Sequence, residues 1–177
     1  FEFTATALPD ARVISQSPSN RSAHLSDESI SIWKNAHRPM IIIGQLQPIE
    51  ARRVEKHIEK LAAKGVVILA EELSNIKQEY ITNRYFDNVI AQEIGNKLLP
   101  DLVVTLGGHI VSKNLKQWLR KFQPQHHWSI RHTGDVADLF QCLTMVWECN
   151  ADSAVELLSQ HLPLQIDTNY TDEWRKS

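Results

Sequence analysis

The chain has 177 residues, of which 42% are hydrophobic and 23% are charged, as in an ordinary globular domain with a sizeable core. Its formal net charge of −2 gives no general attraction to nucleic acid or to acidic lipid. No apolar run approaches the roughly 20 residues that span a bilayer, and no signal-peptide pattern is present, so we expect a cytoplasmic protein with no nucleic-acid or membrane partner.

The two cysteines and the two ends of the chain give further expectations. Cys142 and Cys149 form no CxxC pattern, and we expect buried free thiols in a reducing compartment. The chain starts at Phe1 and stops at Ser177, just after a TDEW segment. We therefore interpret it as a piece of a longer polypeptide, so that part of the chemistry lies outside it.

The first predicted elements are a connector and a helix. Residues 1–24 carry two prolines and a Ser-Asn-Arg-Ser patch, which predicts an interdomain connector with a possible edge strand at 11–15. Ser26 is a good N-cap residue and is followed by two acidic residues, which favours a helix start. Pro39 is expected to stop this helix.

Short apolar runs then alternate with helical patterns. The predicted strands lie at 39–46, 66–70, 102–106, 127–132 and 143–149, and the predicted helices at 48–64, 85–95, 112–122 and 151–161. Asn150 is predicted to cap the last of these helices, with Ser153-x-x-Glu156 as a capping box. Residues 25–163 then form a central domain, and residues 164–177 a linker that leaves it.

The strand runs MIIIG, VVILA and LVVTL are apolar at every position and not at every second one. This pattern indicates strands that are covered on both faces, as in parallel sheets. We therefore predict an α/β fold with a doubly wound, mainly parallel sheet of five to six strands and helices on both faces. Such sheets bind ligands beyond the carboxyl ends of their strands, where Gly44, Glu71–Asn75 and Gly107–Asn114 are expected to gather.

The stretch at residues 100–120 predicts a strand, a Gly107-Gly108 break and a helix that Ser112 can cap. The first N–H groups of a helix have no partner within it, and the helix dipole adds partial positive charge there. Such a helix start can bind an anion, and Lys113 adds a full charge to it. A cation in the first turn costs about 0.3–1 kcal/mol, which indicates a further role for Lys113.

Two other kinds of site have little support in the sequence. The segment GGHIVS lacks the GxGxxG dinucleotide fingerprint, and no P-loop is present, so nucleotide binding rests on fold analogy alone. His126 and His127 are adjacent on a predicted strand and point to opposite faces, which argues against a shared metal ion.

Four charged residues are expected to be solvated. Glu71 and Glu72 follow a strand, where carboxylates could act as acid or base, but loop solvation is the simpler interpretation. Lys116 and Arg120 share a helix stripe with Lys113, and no aromatic interleaving supports nucleic-acid binding there.

The segment PDLVV-x-x-GG-x-x-VSK-x-L-x-x-WL resembles the central domain of the SEPHCHC synthase (MenD) family. The segments RPMIIIGQ, ILAEELSNI and NYTDEW resemble other parts of that domain in the same order, so the similarity covers essentially the whole chain. SKxLxxWL is its most specific part. The resemblance implies thiamine-diphosphate chemistry in menaquinone biosynthesis, in which 2-oxoglutarate is decarboxylated and the succinyl unit is added to isochorismate.

For this chain, the resemblance implies a Rossmann-like middle domain that is inactive alone and binds no cofactor. Thiamine diphosphate and Mg²⁺ would lie between the first and third domains of two subunits, so the partners are the chain's own N- and C-terminal domains and a second copy. Lys113 is implied to bind a small acidic substrate, supported by the turn at Gly107 and Gly108 and by the Ser112 cap. Asn114 stands where some members have a substrate-contacting arginine, and it lacks that charge.

Two other functions stay open at this point. The chain could be a nucleotide-binding domain for FAD, ADP or NAD, since related middle domains of other thiamine enzymes hold FAD or ADP. It could also be a regulatory or oligomerisation module whose basic residues sense a pathway product.

Overall fold

The computed structural model of the protein describes residues 12–14, 24–132 and 137–177, and for 12–14 it describes the backbone. Strands alternate with helices along the chain. The strands are β1 (Arg12–Ile14), β2 (Pro39–Ile43), β3 (Val67–Ala70), β4 (Leu102–Leu106), β5 (His126–Arg131) and β6 (Met145–Glu148). The helices are α1 (Asp27–Asn35), α2 (Pro48–Lys64), α3 (Phe86–Ala91), α4 (Lys113–Phe122), α5 (Ala151–Gln160) and α6 (Thr168–Lys176), with short 3-10 helices at Glu72–Ser74 and Gln78–Tyr80.

The strands form one parallel sheet in the order β1-β6-β5-β4-β2-β3. The predicted parallel α/β fold is therefore confirmed, and β1 is the predicted edge strand. The rest of the predicted connector, residues 1–11 and 15–23, lies outside the described residues. The chain runs from β2 outward to β3 and returns to β4 on the other side of β2. This reversal makes a switch point between β2 and β4, where doubly wound sheets bind their ligands.

Both faces of the sheet are covered by helices, which explains the continuously apolar strands. Alternate side chains of a strand point to opposite faces, so Ile41 and Ile43 belong to one buried cluster and Met40 and Ile42 to the other. The first cluster includes residues of α1, α2 and α5, and the second includes residues of α3, α4 and α6. All residues of β2, β3 and β4 are buried.

Helix α3 is shorter than predicted, since it spans Phe86–Ala91 and not 85–95. The backbone leaves the helix because Glu93 and Gly95 have φ values of 56° and 62°. A glycine at such a φ is ordinary, but a glutamate is uncommon there, and nothing in the sequence indicates it.

The helix ends follow the sequence at α1 and α2, and at α5 they follow it in position but not in side-chain bonding. Ser26 accepts a hydrogen bond from a backbone N–H in the first turn of α1, and Gly65 ends α2 with φ +104°. Asn150 makes no side-chain cap bond at α5, and the N-cap position lies at Asn150 and not at Ser153. The predicted N-cap position at Asn150 is therefore confirmed without a side-chain bond, and the capping box from Ser153 to Glu156 is wrong.

Residues 164–177 contain a helix, where the sequence suggested only a linker. Asp167 is the N-cap residue of helix α6, and its carboxylate accepts the Tyr170 N–H at 3.2 Å. Tyr170 and Trp174 are buried in the second cluster, and the Trp174 ring lies edge-on to Trp118 at 6.0 Å. The segment thus packs into the core, and its role as a lead-in to a further domain stays a prediction.

The described residues bear on two expectations, one about membrane-spanning helices and one about the two cysteines. No helix in the ranges 24–132 and 137–177 is long and apolar enough to cross a membrane. Both cysteines are free, with Cys149 buried and Cys142 half-buried. Burial raises the pKa of each thiol to about 12, so both are protonated and poorly nucleophilic at neutral pH.

His127 on β5 is a buried titratable group whose ring is almost fully covered. Its Nε2 lies 3.1 Å from Thr105 Oγ1, its ring contacts the Phe140 ring at 4.8 Å, and its Nδ1 has no hydrogen-bond partner in the described part of the chain. Burial lowers the pKa of the imidazole to about 4, and the nearby Asp138 carboxylate offsets this only in part. His127 is therefore neutral at pH 7.

This burial predicts acid sensitivity of the fold. A histidine in the unfolded chain has a pKa of about 6.5, so between that value and about 4 the unfolded chain binds a proton that the folded chain excludes. The free energy of unfolding in urea should therefore fall as the pH is lowered through this window. His127→Gln should show a shallower fall, and equal slopes in the two proteins would contradict the prediction.

Candidate functional site

The loops that follow β2 and β4 are bonded to each other at the switch point. The Gly44 N–H donates to Leu106 O at 2.9 Å, and the Gly108 N–H donates to Gln45 O at 2.7 Å. The backbones approach so closely that a Cβ on Gly44 would lie 2.7 Å from Gly108 O and 2.9 Å from His109 O. The predicted gathering of these two loops is therefore observed.

Gly107 makes the turn from β4 towards α4. It has φ +82°, a conformation that glycine adopts readily and other residues rarely do. A Cβ there would also lie 2.9 Å from Gln45 O. Gly108 is less restricted, since a Cβ on it would lie 3.4 Å from the same oxygen.

Helix α4 begins directly after this turn. Ser112 is its N-cap residue, and the Ser112 hydroxyl accepts the Leu115 N–H at 3.0 Å. Lys113 is the first helical residue, and its side chain is exposed. Within the described residues, its ammonium group has no hydrogen-bond or ion-pair partner.

The side-chain carboxylate of Glu71 accepts hydrogen bonds from the backbone N–H groups just before α4. One oxygen of Glu71 accepts the N–H of Val111 at 3.0 Å and the N–H of Ser112 at 2.9 Å. The Glu71 N–H in turn donates to Ile43 O at 3.0 Å, which fixes Glu71 to the end of β2. The predicted solvation of Glu71 is therefore wrong. Because Glu71 already accepts these two N–H groups, an external anion at this edge could bind Lys113 but not them.

Glu72 differs from its neighbour. Its side chain is 78% exposed and lies 3.2 Å from an Arg84 nitrogen. Exposed ion pairs of this kind contribute about 0–1 kcal/mol to stability, so the solvated interpretation fits Glu72.

A second carboxylate binds the residues on both sides of Lys113. Asp87 lies in the first turn of α3 and accepts a hydrogen bond from the Ser112 hydroxyl. Its other oxygen accepts the Asn114 side-chain amide at 2.9 Å. Asn114 is therefore directed towards Asp87, and a substrate role for Asn114 stays a prediction.

Two of the three other basic residues of α4, Lys116 and Arg120, are bonded to backbone carbonyls, so their predicted solvation is wrong in part. Lys116 Nζ donates to Ile110 O at 3.1 Å, which ties the helix back to the loop before it. Arg120 Nε donates to Leu139 O at 2.8 Å, although the Arg120 side chain is largely exposed. Lys113 differs from both, because it has no such bond.

A cavity of about 440 Å³ lies on the other side of this loop, beyond the carboxyl ends of the strands. Its lining includes Gly107, the cations Arg53 and Arg131, and the carboxylates Glu50 and Asp152. Because charges of both signs line the cavity, it does not favour a strongly anionic ligand such as a diphosphate. Nucleotide binding stays a prediction.

Comparison with known proteins assigns the chain to a family. Residues 9–176 match the family described as "Middle domain of thiamine pyrophosphate". The chain belongs to this family of middle domains.

The middle domain is similar to part of an enzyme from several bacteria, 2-succinyl-5-enolpyruvyl-6-hydroxy-3-cyclohexene-1-carboxylate (SEPHCHC) synthase. It is 35% identical to the Bacteroides fragilis enzyme over 164 residues and 33% identical to the Bacteroides thetaiotaomicron enzyme over 163 residues, which is 90% of this chain in each case. It is 28% identical to the Desulfotalea psychrophila enzyme over 162 residues, or 89% of the chain. The resemblance to a SEPHCHC synthase central domain is confirmed. The chain spans 29% of the length of each of these relatives.

The expectation that the middle domain itself binds no thiamine diphosphate or Mg²⁺ stays a prediction. Mg²⁺ is bound through oxygen ligands, usually one or two carboxylates together with phosphate oxygens and water. No group of three or more His, Cys, Asp or Glu side chains in the ranges 24–132 and 137–177 could hold a metal ion. His126 and His127 form no metal pair, since His127 is buried against Thr105.

Glu71 and Asp87 are the site residues whose roles the sequence analysis missed. Each lies far in sequence from the loop that it binds, about 40 and 25 residues before Ser112. The carboxyl ends of all strands in a parallel sheet lie at one edge, which is a signal that Glu71 could reach across from the end of β3 to the loop after β4. No comparable signal indicates Asp87, because the position of α3 depends on how it packs.

Proposed function

We propose that this middle domain is part of a SEPHCHC synthase, to which it contributes Lys113 for binding an acidic substrate. The similarity to three synthases over about 90% of the chain supports the assignment. Thiamine diphosphate with Mg²⁺ would supply the decarboxylation of 2-oxoglutarate and the transfer of the succinyl unit to isochorismate. A cytoplasmic location and assembly with a second copy belong to the same proposal.

The observation that carries the role of Lys113 is its free ammonium group at the carboxyl edge of the sheet. Both proposed substrates are dicarboxylates, and an ammonium group binds a carboxylate through charge-assisted hydrogen bonds. The N-terminus of α4 adds partial positive charge at the same place. We expect the cofactor to be held by the other domains, as the resemblance to the SEPHCHC synthase family implies.

Replacing Lys113 in the complete synthase tests this role. A hydrogen bond to a charged group contributes about 1.5–3 kcal/mol, so Lys113→Met should lower kcat/KM for an acidic substrate by about tenfold or more. Lys121→Met is a matched control, because Lys121 is exposed in the last turn of the same helix. Steady-state kinetics with 2-oxoglutarate and isochorismate should find the control within about twofold of the unmodified enzyme. Unchanged kinetics of Lys113→Met would exclude Lys113 from the substrate site.

A further inference from the structure

We propose that Glu71 and Asp87 are positioning residues, which fix Lys113 for substrate binding by holding the start of α4 from two sides. The inference rests on the proposed function of Lys113. The two carboxylates bind the loop backbone and the residues next to Lys113, and they do not bind the substrate.

The loop between β4 and α4 has no regular structure and depends on hydrogen bonds from other segments. Each residue from 108 to 112 takes part in at least one such bond. Val111 has its described bond through Glu71, and Ser112 has bonds to both Glu71 and Asp87. Without Glu71, the N–H groups of Val111 and Ser112 would lose their partner and the loop could move.

The backbone of Glu71 is hydrogen-bonded to the sheet, so its side chain can fix the loop relative to the sheet. It directly follows β3, and its N–H donates to Ile43 O at 3.0 Å. Its carboxylate then reaches across to the loop after β4. The start of α4 is thereby fixed relative to the ends of β2 and β3.

Asp87 holds the same helix start from α3. Its two oxygens accept bonds from Ser112 and Asn114, which are the residues directly before and after Lys113. A single carboxylate therefore fixes both neighbours of Lys113. Of the three consecutive side chains at 112, 113 and 114, that of Lys113 is the one not bonded to Asp87.

The arrangement suits a lysine that must reach a ligand outside the domain. The lysine stem is flexible, so the position of its Cα determines which points the ammonium group can reach. A displacement of about 1 Å at a binding group can lower a catalytic rate by as much as about 100-fold. Both carboxylates are engaged with other donors, and neither forms an ion pair with Lys113.

A double-mutant cycle in the complete synthase tests the inference. Glu71→Ala should lower kcat/KM for the acidic substrate by about tenfold, and Glu71→Gln should lower it less, because its amide oxygen can still accept both N–H bonds. In a Lys113→Met background, Glu71→Ala should add less than about twofold, since it acts through the missing ammonium group. Glu72→Ala is the matched control and should stay within about twofold of the unmodified enzyme.

Asp87→Ala provides a second, independent variant. It removes both carboxylate oxygens, so the bonds from the Ser112 hydroxyl and from the Asn114 amide are both lost. We expect a fall in kcat/KM of the same kind, which again disappears in the Lys113→Met background. This variant keeps the test open if Glu71→Ala does not fold.

Three results would overturn the inference. The first is normal kinetics of Glu71→Ala and Asp87→Ala while Lys113→Met is impaired, which would leave the proposed function intact. The second is an equal loss from Glu71→Ala with and without Lys113, which would show a purely structural role. The third is tighter substrate binding in Glu71→Ala, which would make Glu71 a competitor for the substrate. Normal kinetics of Lys113→Met would instead contradict the proposed role of Lys113 in substrate binding.

Discussion

Replacing Trp174 by alanine is expected to lower the free energy of unfolding by about 3–5 kcal/mol, the usual range for a buried tryptophan. The Trp174 side chain is fully buried in the second cluster, edge-on to Trp118. Its carbonyl oxygen accepts the Asn83 side-chain amide at 2.8 Å, so the segment just before α3 is bonded to α6. Urea denaturation followed by circular dichroism measures the loss.

Two further variants test whether the loss of stability in Trp174→Ala comes from removing a buried ring. Trp174→Phe should recover much of the loss, because the phenyl ring fills part of the same space. Arg175→Ala should change stability by less than about 0.5 kcal/mol, since Arg175 is half exposed and its partner Asp172 is equally exposed. A loss below about 1 kcal/mol for Trp174→Ala would contradict the packing of α6 and favour a loosely attached linker.

Gly44→Ala is expected to have the second largest effect, a destabilisation of about 3 kcal/mol. The added methyl group would lie 2.7 Å from Gly108 O and 2.9 Å from His109 O. Both oxygens belong to backbone that is bonded to the loop after β2, so neither can move away without breaking those bonds. The loop that leads to Lys113 should shift as a result.

Gly108→Ala is the matched control for this substitution. Gly108 lies in the same contact but leaves 3.4 Å to Gln45 O, and its φ is not positive. We expect a change below about 1 kcal/mol, measured by the same urea titration. Similar losses for the two variants would contradict the close approach of the two loops.

The parallel sheet could be predicted because burial on both faces makes its strands apolar at every position. MIIIG and LVVTL are such runs, and the side chains of β2 divide between the two clusters as this pattern requires. The start of α4 could be predicted because an N-cap serine and a glycine break are local signals.

The contacts of the candidate site could not be predicted in the same way, because they join residues distant in sequence. Glu71 resembles any polar loop residue until the fold brings it to Val111 and Ser112. The helical character of 168–176 was also missed, since its buried residues Tyr170 and Trp174 stand among polar neighbours. Their positions i and i+4 do match one helix face, but two apolar residues are a weak signal.

The central claim is that an ammonium group at position 113 binds an acidic substrate. Lys113→Cys in the complete synthase removes this group, and alkylation with 2-bromoethylamine restores an ammonium group of nearly the same length. Burial raises the pKa of Cys142 and Cys149 to about 12, so the exposed thiol at position 113 should react in preference to them. Lys113→Ala, alkylated in parallel, controls for modification elsewhere.

The decisive measurement is kcat/KM for the acidic substrate before and after alkylation. Lys113→Cys should lose about tenfold or more, and alkylation should restore most of the loss, with no recovery in Lys113→Ala. Full activity of Lys113→Cys before alkylation, or no recovery after complete alkylation, would contradict the role of Lys113 in substrate binding.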